Sequence, residues 1–182
     1  MAELPDSRIV HTREAIVDAV DELAKKVISR CAGQEWIAIC VMHGGLIFSG
    51  EILQRLPIKL KQDFVRVTRY RDTVTAGELE WVVSPETNLT GKNVLLIDDI
   101  FDTGHTLNAV HQHIDSLGAA CVETAVLLYK HGREELDFQV NFVGFEIPDE
   151  FVVGYGLDYQ GLYRNLPYVG VMESHDLAQD EP

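Results

Sequence analysis

The stretch Asn93-Val94-Leu95-Leu96-Ile97-Asp98-Asp99-Ile100-Phe101-Asp102-Thr103-Gly104-His105-Thr106 decides how the rest of this chain is read. Asn93 to Ile97 has the length and apolar continuity of a strand buried on both faces. Asp98, Asp99 and Asp102 follow it, and Thr103-Gly104-His105-Thr106 is a small-residue turn that opens a helix. An apolar strand, acids at its carboxyl end and a turn onto a helix N-terminus suit a phosphorylated sugar with free hydroxyls. The N–H groups of such a turn can hold a phosphate. The acid pair can accept hydrogen bonds from adjacent ribose hydroxyls or help hold a divalent cation. The blander reading, an acidic turn with no ligand, is disfavoured by its place at a strand end, where open α/β sheets bind ligands.

Outward from this stretch, strands and helices alternate. Thr12 is set to cap a helix whose apolar face is Ile16, Ala19, Val20, Leu23, Ala24, Val27 and Ile28, ended by Gly33. Trp36 to Met42 reads as a buried strand, His43-Gly44-Gly45 as a tight turn, and Leu46 to Leu56 as a helix stopped by Pro57. Asp63 to Tyr70 is expected as a strand, Arg71 to Glu78 as a polar mobile loop, and Leu79 to Val83 as a short strand. Ser84 to Lys92 is a connection. Leu107, Val110, Ile114 and Leu117 stripe the next helix, which Gly118 terminates. Cys121 to Tyr129 and Asn141 to Glu146 are further strands, and Pro148 to Met172 is an aromatic, glycine-rich cap. The expected fold is α/β: an open, mostly parallel twisted sheet flanked by helices, with a small hood. One domain spans 1–182. Its core covers about 36–145, and its hood is formed by the N-terminal segment and about 146–172. The His43 turn, the Asp98 cluster and Lys130 then share the rim of strand carboxyl ends.

Composition bounds the partners. The chain has 182 residues and 29 acids against 15 Lys and Arg, a formal net charge of −14. That argues against a sequence-independent nucleic-acid binder, whose affinity rests on cations neutralising phosphates, and against an anionic membrane surface. Cys31, Cys40 and Cys121 are widely spaced, and Cys40 and Cys121 sit in or beside apolar runs, so buried free thiols in a reducing cytoplasm are expected. The N-terminus shows no apolar signal core, and no apolar run approaches the roughly 20 residues that span a bilayer. The acidic tail, 173–182, is expected to fray.

The run from Val94 to Thr106 resembles the phosphoribosyl-pyrophosphate (PRPP) motif of type I phosphoribosyltransferases. The segment from Phe142 to Tyr159 resembles the corresponding stretch of the hypoxanthine–guanine branch. The resemblance covers about Trp36 to Val171 and is weak in the first helix and between Arg71 and Leu89. It implies that Asp98, Asp99, Asp102, Thr103, Gly104, His105 and Thr106 bind PRPP and its phosphate. Asp102 is then the general base toward purine N7, although its position also suits a cap of the turn's amides. His43, Gly44 and Gly45 become a pyrophosphate loop, with Arg69 and Arg164 meeting the same group. The glycines also suit positive φ and close backbone approach. Lys130, which alone would read as a snorkelling strand-end lysine, becomes the donor to a 6-oxo group. Ammonium donates but cannot accept, so it selects against a 6-amino purine. Phe151 stacks on the ring, which for a lone aromatic would be core packing. Val152 reads the base edge with its backbone, and Asp158 binds Mg²⁺ or the base edge. Tyr70 heads a loop that closes over the reacting centre.

The implied activity is Mg²⁺-dependent purine salvage: hypoxanthine or guanine plus PRPP giving IMP or GMP plus pyrophosphate. The implied metal set is Asp98, Asp99 and Asp158, and the implied assembly a dimer or tetramer. His43, Arg69 and His105 depart from the family pattern, which commonly has Lys, Ser and Lys or Arg at those positions. A mostly neutral imidazole offers pyrophosphate a hydrogen bond but little charge. Two other classes compete. A PRPP-fold RNA-binding attenuator is opposed by the acidic charge and by Lys130 and Asp158. An inactive interaction subunit is opposed by an intact Asp102. The preference among hypoxanthine, guanine and xanthine is not written in these residues.

Overall fold

Six strands form the main sheet of the computed structural model, which describes residues 8–69, 79–132, 136 and 138–172. In chain order the elements are β1 (Arg8–His11), α1 (Arg13–Cys31), β2 (Trp36–Met42), α2 (Gly45–Leu53), β3 (Leu60–Arg69), β4 (Leu79–Val83), β5 (Asn93–Phe101), α3 (His105–Ser116), β6 (Cys121–Lys130), β7 (Phe142–Ile147), β8 (Val152–Val153) and β9 (Val169–Val171). The main sheet runs β4-β3-β2-β5-β6-β7, and β1-β9-β8 form a separate three-stranded sheet. Among the described residues, only the β3–β4 pair of the main sheet is antiparallel. Tyr70, the expected loop 71–78 and the acidic tail 173–182 lie outside the described residues.

Strand pleating explains the two cores. Leu95 and Ile97 point to the face covered by Ile16, Val20, Leu23 and Val27 of α1 and by Phe48 and Ile52 of α2. Val94 and Leu96 point to the other face, against Leu107, Val110 and Ile114 of α3. Burial on both faces is why β2 and β5 read as unbroken apolar runs. Each such fully buried aliphatic side chain contributes about 1.5–3 kcal/mol. Thr12 caps α1, its Oγ1 accepting from the Ala15 N–H at 3.3 Å.

Several boundaries differ from the sequence expectation, most clearly those of β5, β3 and α2. β5 does not stop at Ile97. Its bonds to β2 end at Cys40↔Ile97, but its pairing with β6 continues through Phe101↔Tyr129. Asp98 and Asp99 are therefore strand residues, not loop residues. β3 begins at Leu60 because Trp36 of β2 pairs with it there. α2 ends at Leu53 and gives way to tight i→i−3 turns, Arg55 N–H to Ile52 O at 3.0 Å and Leu56 N–H to Leu53 O at 3.2 Å, before Pro57. β1 has no counterpart in the sequence reading; its four residues gain their strand character from β9.

β2 leads through α2 to β3 on one side of the sheet, while its other neighbour, β5, leads through α3 to β6 on the other. The connections diverge between β2 and β5. That divergence opens a crevice at the strand carboxyl ends, the usual ligand position in such sheets.

Candidate active site

Two adjoining cavities occupy this crevice. One, of about 300 Å³, is lined by Gly44 from the β2–α2 turn, Asp98 and Asp99 of β5, the turn Thr103, Gly104 and Thr106, and Arg164 from the hood. The other, of about 450 Å³, is lined by Lys130, Asp149, Phe151, Val152 and Asp158. Asp99, Ile100 and Asp102 line both. The sequence-predicted residues that line these cavities thus fall into two compartments, with Asp102 on the wall between them.

The phosphate turn is built on an aromatic footing. Gly104 has φ +89, and a Cβ there would lie 2.8 Å from the ring of buried Phe101. Phe101 is itself stacked on Tyr129 with centroids 4.8 Å apart. Glycine at 104 lets the chain turn sharply over this ring and present the first N–H groups of α3 to the cavity. His105 is exposed at the helix start and does not line the cavity.

His43-Gly44-Gly45 corrects one expectation. Neither glycine has positive φ; Gly44 sits at φ −59. Their small size serves packing instead. A Cβ on Gly44 would lie 2.0 Å from Asp99 Oδ2, and one on Gly45 would lie 3.0 Å from the Ile97 carbonyl oxygen. The turn is pressed onto the acid-bearing strand. The Met42–His43 peptide is cis. The His43 side chain is exposed, and Gly44 rather than His43 borders the first cavity.

Asp98 and Asp99 are buried side by side, 7% and 8% exposed. Asp98 Oδ1 accepts from the Asp99 N–H at 2.9 Å. Burial pushes the Asp98 carboxyl well above its usual range, and the neighbouring Asp99 charge adds to this. Burial also raises Asp99, against the opposing pull of hydrogen bonds and of the Arg164 charge. Arg164 Nη1 donates to the Gly156 carbonyl at 2.6 Å, and Nη2 pairs with Asp158 Oδ1 at 2.6 Å. Asp158 Oδ2 accepts from the Gly161 N–H at 2.7 Å. Asp158 is therefore tied to Arg164 and the hood loop. Among the described residues no three acidic, His or Cys side chains converge on a metal position, so Asp158 is not gathered with Asp98 and Asp99 into one ligand cluster.

On the base side, Lys130 ends β6 and is 7% exposed. Its Nζ lies 3.7 Å from Asp102 Oδ2 and 3.6 Å from Asp149 Oδ1. Phe151 is 42% exposed, so its ring faces the cavity instead of the core. Tyr159 meets it edge-on at 5.7 Å. Tyr155, by contrast, is 1% exposed and belongs to the core. Asp149 was missed in the sequence. Its signal was an acid directly beyond a strand end, two residues before Phe151. Arg69 ends β3; its side chain and Tyr70 lie outside what the structure describes.

The three thiols are free. Cys31 and Cys40 are buried, and burial pushes each thiol up to about 11. Cys121 is only half-buried, contrary to the expectation of a buried thiol, because it opens the edge of β6 beside Arg30 and Glu123. No helix among the described residues is long and apolar enough to cross a membrane.

A family model described as the phosphoribosyl transferase domain matches residues 7–160. The chain belongs to this family, and it is accordingly an enzyme, a transferase. It is 34% identical over 174 residues to the hypoxanthine-guanine phosphoribosyltransferase of Streptococcus thermophilus, covering 95% of this chain and 97% of that one. Among solved structures, a hypoxanthine phosphoribosyltransferase from Staphylococcus aureus superposes with a TM-score of 0.88 at 33% identity, covering 93% of this chain and 92% of that one. A hypoxanthine-guanine phosphoribosyltransferase from Bacillus anthracis, with a HEPES molecule in its active site, superposes with a TM-score of 0.86 at 32% identity, covering 94% and 100%.

Proposed function

We propose that the chain moves the 5-phosphoribosyl group of PRPP to N9 of hypoxanthine or guanine, releasing IMP or GMP and pyrophosphate. The observation that carries this reading is the position of Asp102. It stands between a cavity edged by a phosphate turn and a cavity edged by Lys130 and an exposed aromatic ring. A sugar phosphate on one side and a purine on the other would meet at this carboxylate.

Each residue then has a task. The Thr103–Thr106 amides hold the 5-phosphate. Asp98 and Asp99 face the ribose hydroxyls. Arg164 and the Gly44 turn border the pyrophosphate. Lys130 donates to the 6-oxo group, Phe151 stacks on the ring, and the Val152 backbone and Asp158 border the base edge. Asp102 takes the purine proton as the glycosidic bond forms. Displacement at the anomeric carbon passes through a cation-like sugar, and a closed site keeps water from it.

Mg²⁺ fits this site. Five carboxylates, Asp98, Asp99, Asp102, Asp149 and Asp158, line the cavities against two cations, Lys130 and Arg164. A polyanionic substrate needs further positive charge there. Mg²⁺ usually binds one or two carboxylates plus substrate phosphates, which matches a paired Asp98 and Asp99 and the lack of a three-residue cluster among the described residues. When bound, the ion would stabilise charge on departing pyrophosphate. The same reading includes a homo-oligomer, dimer or tetramer, and a cytoplasmic location, to be tested by light scattering and by cell fractionation.

The direct test is a spectrophotometric assay with PRPP, Mg²⁺ and, separately, hypoxanthine, guanine, xanthine, adenine and uracil. Nucleotide formation confined to 6-oxopurines is expected. Adenine as the best substrate would overturn the assignment of Lys130.

A further inference from the structure

A third cavity, of about 270 Å³, opens at the amino end of the main sheet, beside the starts of β2, β3 and β5. These strands run parallel, so this cavity and the acid-bearing crevice lie at opposite ends of the same strands. The seven residues of β2 separate the two, about 20 Å at the usual strand rise.

The rim of this cavity is basic. Lys59, Lys61 and Lys92 line it, half of the six lysines in a chain of net charge −14. Among the described residues Glu35 is the only acid on its wall. All three lysines are exposed, and among the described residues none of them has an ion-pair partner, whereas Lys25 is paired with Glu22. Asp63 lies on the same face of β3 as Lys61 but turns its oxygens to backbone amides. Oδ1 accepts from the Phe64 N–H and Oδ2 from the Thr87 N–H, each at 2.8 Å. Three ammonium groups around one cavity repel one another, and an anion seated among them relieves that repulsion.

The floor is apolar and the walls are fixed. Trp36, Ile37 and Leu60 close the cavity from below. The Trp36 indole N–H already donates to the Cys31 carbonyl at 3.2 Å, so the ring offers the cavity only hydrocarbon. The Lys59 carbonyl accepts from the Trp36 N–H at 3.1 Å, the Lys92 N–H donates to the Leu89 carbonyl at 2.9 Å, and the Lys92 carbonyl accepts from the Ala120 N–H at 2.8 Å. Leu89, 1% exposed, anchors that turn in the core. The lysines therefore project from backbone positions set before any ligand arrives, which lowers the cost of binding one. A solvated lysine face would account for the charge, but not for a fixed apolar cavity between the lysines.

We propose that this cavity is a second ligand site, for a small phosphorylated molecule with an apolar ring, its phosphate among Lys59, Lys61 and Lys92 and its ring against the Trp36, Ile37 and Leu60 floor. The volume lies just under the roughly 300–1,000 Å³ of drug-sized sites, so the ligand is limited to about one ring system and one phosphate. A nucleoside monophosphate has this chemistry. The site is independent of the reading given to the crevice.

The test is calorimetric titration of the full chain, at low and high salt, with AMP, adenosine and inorganic phosphate as separate probes. AMP supplies both halves of the ligand, and its 6-amino group is opposed in the crevice by Lys130. AMP should bind with a Kd below about 1 mM, and adenosine and inorganic phosphate about tenfold more weakly, because each lacks one half. Salt should weaken AMP binding. Lys59→Gln, Lys61→Gln and Lys92→Gln should each weaken it about twofold to fivefold, the scale of exposed charge pairs, and the triple variant about tenfold or more. The triple variant should melt close to wild type, since these lysines have no ion pair to lose among the described residues. Lys25→Gln with Lys26→Gln, which removes two lysines from α1, should leave AMP binding unchanged. Hydrogen exchange should show AMP protecting the amides of residues 87–92. A Kd for AMP above about 1 mM overturns the proposal. So does undiminished AMP binding by the triple variant, which would place the nucleotide in the crevice. Adenosine or inorganic phosphate binding as tightly as AMP overturns it too, by removing the need for one half of the site. The readout is binding and not turnover, so it stands apart from whether the chain makes IMP.

Discussion

Replacing Gly156 by alanine tests the contact that joins the hood to the phosphate side of the site. Gly156 has φ +109, a conformation that costs a side-chain-bearing residue about 1–3 kcal/mol. A Cβ there would also lie 2.2 Å from the Gly44 carbonyl oxygen, whereas ordinary contact begins at 3.4 Å. One of two backbone segments must therefore move by more than about 1 Å, an overpacking that costs about 1–3 kcal/mol more. Since a domain of this size loses about 2–4 °C per kcal/mol, the melting temperature should fall by about 5–20 °C. The displacement reaches the chemistry because Gly44 is itself pressed against Asp99. A shift near 1 Å in such a constellation costs about 10²-fold in rate. Gly91→Ala is the control. Gly91 also has positive φ, +69, but a Cβ there meets nothing within 4 Å. It should lose only about 1–2 kcal/mol and keep its activity. Differential scanning fluorimetry and steady-state kinetics on both variants decide the matter. If Gly156→Ala melts with Gly91→Ala and retains wild-type kcat/KM, the hood does not brace the site through this contact.

Asp102→Asn keeps the shape of the turn and removes the base; kcat should drop by about 10²-fold or more with PRPP affinity retained, as read by steady-state kinetics and calorimetric titration of PRPP. Lys130→Ala should lower kcat/KM for hypoxanthine while leaving adenine as poor a substrate as before, and a gain for hypoxanthine would contradict the donor role. Asp98→Asn should raise the melting temperature of the ligand-free chain at neutral pH while impairing turnover. Burial and the Asp99 charge raise the folded-state Asp98 carboxyl above its unfolded value, so the folded state binds the proton more tightly. Wild-type stability therefore declines as pH climbs from the unfolded value of about 3.9 through the raised folded value. The advantage of Asn should be small near pH 4 and grow toward neutrality; an advantage that does not change with pH would remove the titration of Asp98 as its cause.

The parts of this molecule that sequence displays best are those governed by one segment at a time. The pleat of Val94 to Ile97, the stripe of Leu107, Val110 and Ile114, and the cap at Thr12 each depend on local spacing, and each lies where the spacing put it. What stayed hidden depends on a partner distant in the chain. Asp98 and Asp99 look like loop acids until β6 is laid beside them and extends their strand to Phe101. Arg8 to His11 carry no strand pattern of their own and become a strand only because β9 pairs with them. Gly44 looks like a glycine for ligand approach, yet its missing side chain makes room for Asp99 on one side, while its carbonyl is met by Gly156 on the other. Asp158 and Arg164 look like two separate ligand contacts, yet they hold each other across the hood loop. The residue types at the site were legible because phosphate, ribose and purine each demand particular chemistry. Their mutual arrangement was not, because it is set by one chain of contacts, Arg164 to Gly156 to Gly44 to Asp99, whose members are separated in sequence and bear on one another only after the hood has closed over the sheet.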